Sequence, residues 1–397
     1  MTTVTWNVDA NGDWASAADW DLGRLPAAGD DVVVDTADPH TINHRTGADT
    51  VSTLTVGDDH FLVSGGSLTI ASAASFAHLL TVSGGTLELD GAASVGRFNQ
   101  GAGTVSGAGT LTFGAGMQAF NGGAILTIAG WSLSSGAATS VNEILSFGGV
   151  FSQNAGSSVT IAAADKLRLT GAATLAGAVA GAGTLTFAGG TQAVESGADF
   201  TVANWVLSNA AAATLNGSLT YAGAFIQAAG STLTIAAGDK LRLTGAAALA
   251  GTVSGPGTLT FAGGTQDLNG GANFTVANWV LSNGAATTLN TNLTYAGGFI
   301  QAAGTSLTLA AAHGLTLTGA DTFAGAISGT GRLIFDGGFY TFNPGATLDV
   351  SAWSIHGSTV QVNENLTYAG AVSMSRDAVF SITQGDTLLP PIRKVLL

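Results

Sequence analysis

The chain has 397 residues, of which 46% are hydrophobic and only 9% charged, with 58 glycines, no cysteine and a formal net charge of −14. So much apolar surface argues against disorder. The missing cysteines exclude a disulfide framework and thiol-based metal or nucleophile chemistry, and the acidic balance disfavours nucleic acid, which attracts basic surfaces.

Gly, Thr, Ser and Val crowd every window, which disfavours long helices. No uninterrupted run of about 18 apolar residues occurs, so no membrane span is expected. Glycine without a three-residue period and with scarce proline excludes collagen.

Residues 1–60 form a compositionally separate start. They hold eleven of the 25 acidic residues together with Trp6, Trp14 and Trp20, and are expected to cover one open end of the fold that follows. The opening MTTVTWNVDANGDW has no basic stretch followed by an apolar one. An exported protein with this start would use another route or have lost its leader. Residues 61–108, with GGSLTI and LLTVSGGTLELDG, read as degenerate coils of the repeats that follow.

From residue 109 the chain repeats itself. G-[TR]-L-[TI]-F begins at Gly109, Gly183, Gly257 and Gly331, each 74 residues from the last, and Trp131, Trp205, Trp279 and Trp353 keep the same interval. DKLRLTG from Asp165 recurs at Asp239 and survives as HGLTLTG from His313. The units are therefore 109–182, 183–256, 257–330 and an incomplete fourth, 331–397.

Within a unit, TLTF, TLTI, KLRL and SLTY alternate apolar and polar residues and are separated by AGG, NG, AAG and SGPG turns, the signature of short half-buried strands. Strands so frequent, with no helical stretches between them, predict an all-β fold: a single-stranded, right-handed parallel β-helix. Coiling removes the exposed edges that a flat meander would leave. A turn of roughly 18–25 residues puts three or four turns in each unit. The last residues, PIRKVLL, show no capping element, so this end is expected to continue or to pair with further chain or another protomer.

The passage TWNVDANGDWASAADWDLGRLPAAGDDVVVD, through Trp6, Gly12, Trp14, Ala18, Trp20, Pro26, Gly29, Asp30, Asp31 and Val32, resembles the start of large bacterial extracellular repeat proteins. The repetitive part is similar to the β-helical passengers of autotransporter-like adhesins. The resemblance covers almost the whole chain and implies a surface-exposed or secreted stalk or adhesive segment, with glycans or host and cell-surface proteins as partners. The signal peptide and the C-terminal β-barrel or calcium-repeat tail of such proteins are not recognisable here.

Trp131, Trp205, Trp279 and Trp353 are candidates for stacking on sugars, although Trp205 shares strand parity with Leu207, which points to the core. Lys166 and Arg168, with their copies Lys240 and Arg242, share an outward face beside Asp165 and Asp239. Uronate lyases on parallel β-helices use such groups, but this set is duplicated and then lost at His313. Asp30, Asp31, Asp58 and Asp59 could offer oxygens to Ca2+, although neither an EF-hand loop nor a calcium nonapeptide is present; no other cofactor is expected.

His40, His44 and His60 lack a zinc spacing. Thr110/Thr112, Thr184/Thr186 and Thr258/Thr260 echo the arrays of ice-binding solenoids, but too rarely for one pair per turn. Repetition multiplies a length or a surface and does not sharpen one reaction centre. The leading expectation is thus a non-enzymatic structural or adhesive segment. A lyase or hydrolase acting on acidic polysaccharide is the alternative, and an ice-binding solenoid a lesser one.

Overall fold

The computed structural model describes residues 2–208 and 210–389, so the PIRKVLL end, with the expectation attached to it, lies outside the described residues. The chain divides into two units, residues 1–203 and 204–397. Each is a parallel β-solenoid, with about eighteen turns between them. Helix among the described residues amounts to one 3-10 turn, Ala17–Asp19.

In the first unit the alternation seen in the sequence becomes alternation of burial. Leu167 and Leu169 of the strand Lys166–Leu169 point inward and are enclosed, while Lys166 and Arg168 stay partly exposed. Parallel pairing stacks each inward residue on its counterpart one turn away. One such ladder runs Val4, Val32, Leu54, Ala74, Ala93, Leu111, Trp131, Phe151, Ala173 and Gln192. From Val32 onward its steps are 18 to 22 residues. A second ladder runs Ile42, Phe61, Leu80, Phe98, Gln118, Thr139, Val159 and Val179.

The acidic N-terminal stretch, expected to cover an end, itself winds. Thr3–Thr5 pairs in parallel with Asp31–Val34, and Thr41–His44 with His60–Val63. Trp6, Trp14 and Trp20 are enclosed by these turns, Trp20 meeting Trp6 and Trp14 edge-on at 5.0 and 4.9 Å. The Trp20 indole N–H donates to the Trp14 carbonyl at 3.0 Å.

The second unit carries three well-resolved ladders. Trp205, Phe225, Ala247, Gln266, Thr287, Leu307, Ile327 and Leu348 form the first. Leu219, Leu241, Leu259, Trp279 and Phe299 form the second. Leu293, Leu315, Leu333, Trp353 and Val372 form the third. Corners stack so tightly that some admit only glycine. At Gly264 the backbone has φ +68°, and an added Cβ would collide with the carbonyl of Gly245 one turn away.

The three tryptophans of this unit occupy three different ladders. Three turns from Trp205 end at Gln266 and a fourth ends at Thr287, so Trp279 lies about two-thirds of the way round that fourth turn. The 74-residue unit therefore advances three and about two-thirds turns, and each copy of a side chain is set on the next ladder.

Candidate binding surface

The repeat tryptophans lie in the interior. Trp131, Trp205, Trp279 and Trp353 have 0% exposure. Trp131 meets Phe151 at 4.7 Å, Trp279 meets Phe299 at 4.6 Å, and Trp353 meets Phe342 at 5.5 Å. An enclosed ring has no face to offer a sugar, so the four tryptophans, candidates for stacking, are instead aromatic core.

Beside them sits a polar device the sequence reading did not single out. Gln153, Gln192, Gln227, Gln266 and Gln301 point inward at corners and are at most 2% exposed. Gln227 Nε2 donates to the carbonyls of Thr252 at 2.9 Å and Ser231 at 3.4 Å. Gln266 Nε2 donates to Gly263 at 2.6 Å and Gly245 at 3.4 Å. Each amide thus adds a side-chain donor to corner carbonyls, some of which, like that of Ser231, also accept a backbone N–H from the next turn. The recurring FSQ, FIQ and GTQ strings were the available signal. Outside, asparagines instead bond one another from turn to turn, with Asn121 donating to Asn99 at 2.8 Å and Asn142 to Asn121 at 3.0 Å.

The N-terminal carboxylates are used for loop closure. Asp30 takes a two-pronged contact from Arg24, at 2.6 and 3.1 Å, and accepts the Ala27 N–H. The Arg24 guanidinium holds the Asp30 carboxyl below the usual carboxylate range. Asp31 accepts from Thr53, and Asp59 accepts from the Thr36 N–H, the Thr36 hydroxyl and the His40 N–H. Asp58 is exposed. Among the described residues, no group of three or more His, Asp or Glu side chains is placed to hold a metal ion.

Lys166 and Arg168 stand outward beside Thr184 and Thr186 of the next turn; Lys240 and Arg242 stand beside Thr258 and Thr260. The threonine pairs do not extend along the coil. Thr258 is followed by Asn278 and Gly298, and Thr260 by Val280 and Ile300.

Shallow depressions occur on the surface of both units. In the first unit, one of about 260 Å3 lies over Ser75, Ser94, Thr112 and Ser134, with Ala77, Gly96 and Gly114 among its small lining residues. In the second unit, one of about 310 Å3 is lined by Asn292, Thr294, His313, Gly314, Thr316 and Arg332, among others. The latter lies where the third and fourth units depart from their sisters: in the third, Gly314 replaces Lys166 and Lys240 and Thr316 replaces Arg168 and Arg242, and in the fourth Arg332 replaces Thr184 and Thr258. A site lost as Lys-x-Arg is thereby replaced by a pit with an arginine on the adjacent turn.

No known protein family, no curated protein and no solved structure matches this chain.

Proposed function

We propose that the protein is a non-catalytic structural or adhesive segment of a bacterial cell-surface or secreted protein, working as a spacer or as a repeated surface for glycans or cell-surface proteins. The observation that carries this reading is the phase of the repeat. Because 74 residues advance by a fractional number of turns, duplication adds coil and sets equivalent outward groups on different ladders. A reaction centre gains nothing from such copying. A flat ice-binding face, which needs its threonines on one ladder turn after turn, is interrupted by it. The extracellular setting rests on the resemblance of the Trp6–Val32 passage.

Hydrolysis or elimination on an acidic polysaccharide is the second reading, favoured only by the single Arg332 pit. A glycan array run beside an absorbance assay on uronate polymers separates the two. Binding without turnover is expected; release of unsaturated sugar products would overturn the non-catalytic reading.

A further inference from the structure

The depression at Gly314 is both hollow and cationic, unlike the one over Ser75 and Ser94, whose lining carries no basic side chain. In the first two copies a lysine occupies the position of Gly314, stacked against Thr184 or Thr258. In the third copy the lysine is gone and the neighbouring turn supplies Arg332 instead, in register with Gly314. Arg332 is exposed, and among the described residues no carboxylate lies within ion-pair distance of its guanidinium. Its charge is available to a ligand.

The rest of the lining is neutral and rich in hydrogen-bonding groups. Asn292 Oδ1 accepts the Gly314 N–H at 2.9 Å, which fixes the side chain and leaves its amide protons to donate elsewhere. Thr294 and Thr316 are ladder neighbours and contribute two hydroxyls. His313 is part of the lining, and its backbone carbonyl accepts the Arg332 N–H at 2.9 Å, joining the two turns. Ile334 supplies an apolar edge next to Thr316. At about 310 Å3 the pit is at the low end for a small-molecule site, room for one sugar ring and not for a folded chain.

We infer that this pit is a subsite for a single carboxylate-bearing sugar residue, a uronate, with Arg332 pairing its carboxylate and Asn292, Thr294 and Thr316 meeting its hydroxyls. A guanidinium matches a planar carboxylate through two parallel hydrogen bonds. Amide and hydroxyl groups suit a ring edge that both donates and accepts. The inference rests on the reading of the protein as a glycan-binding, non-catalytic surface and gives that reading one located contact.

The sister copies provide the test. Arg332→Thr and Gly314→Lys each install the residue that the same coil already holds at 184 and 258 or at 166 and 240, so circular dichroism and thermal midpoints should stay those of the parent. Calorimetric titration uses a trigalacturonate, its neutral galactose counterpart and inorganic sulfate, with absorbance followed for cleavage. The expected result is that the parent binds the uronate trimer in preference to both controls and that each variant weakens it at least about tenfold. Undiminished binding in both variants, no uronate binding by the parent, or equal binding of the neutral trimer or of sulfate would overturn the subsite. Unsaturated product would instead overturn the non-catalytic reading, whatever the variants do.

Discussion

Asp321 is the residue where the interior breaks its own rule. The sister copies have Ala173 and Ala247 there, yet Asp321 is 2% exposed. Its Oδ1 accepts the Phe299 N–H at 2.7 Å, an amide whose counterparts at Phe151 and Phe225 donate to the backbone carbonyls of Ala172 and Ala246. Its Oδ2 is buried with no partner. Tyr295 and Tyr340 face it, and burial pushes its pKa up from the ordinary 3.8 to about 7, against the pull of the Phe299 hydrogen bond.

The folded protein therefore keeps a proton on Asp321 between about pH 4 and pH 7 that the unfolded chain has released. This carboxyl lowers stability as pH rises through that window, by an amount on the order of 3–4 kcal/mol, and adds no further slope above it. Asp321→Ala should gain stability relative to the parent at pH 8 and much less at pH 5. Denaturant titrations of both proteins at the two pH values check this; a difference independent of pH would contradict it. The inward glutamines make a second residue-scale case. Gln227→Ala removes the side-chain donor to the Thr252 carbonyl, while the Ser231 carbonyl keeps the Thr252 N–H, and should cost about 1 kcal/mol in the same titration.

At the scale of the element, a four-residue strand such as Lys166–Leu169 contributes two inward side chains to the ladders, and the corners contribute the turns. The strands were legible in the sequence because TLTF, KLRL and LTY alternate strictly, and Leu185, Leu241 and Leu259 are inward as that alternation implies. The polar corners were not. Gln and Asn read as ordinary loop residues until the next turn is known to lie beside them, since one of the groups they bond is 21 to 25 residues distant in sequence, as in Gln266 to Gly245 and Gln227 to Thr252. Asp321 shares strand parity with the inward Phe323, a local signal that the default reading of a carboxylate as solvated masks. Trp279→Ala would leave a hole among Phe274, Tyr295 and Phe299 and should cost about 3–5 kcal/mol, read as a lowered unfolding midpoint.

At the scale of the molecule, parallel coils hold together through nearest-neighbour layers, so each turn stabilises the two beside it. The 74-residue interval was plain from the sequence, and so was the solenoid. The phase between interval and turn was not, because the steps vary from 18 to 22 residues as corners lengthen and shorten. The Arg332 pit depends on that phase: it needs Asn292, Gly314 and Arg332 on consecutive turns of one ladder, a juxtaposition that only the register reveals.

The phase can be read directly by cross-linking, since the protein contains no cysteine of its own. Thr214 pairs with Thr234 and Thr288 with Thr308 on neighbouring turns, whereas Thr214 and Thr288 are equivalent positions in successive repeats. Ladder partners stand about 4.8 Å apart, within the span of a disulfide. Under dilute oxidising conditions, mass spectrometry should find an intramolecular disulfide in the Thr214→Cys/Thr234→Cys and Thr288→Cys/Thr308→Cys variants and none in Thr214→Cys/Thr288→Cys. A disulfide in the last variant, or its absence from the first two, would contradict a parallel coil in which each repeat advances by a fractional number of turns.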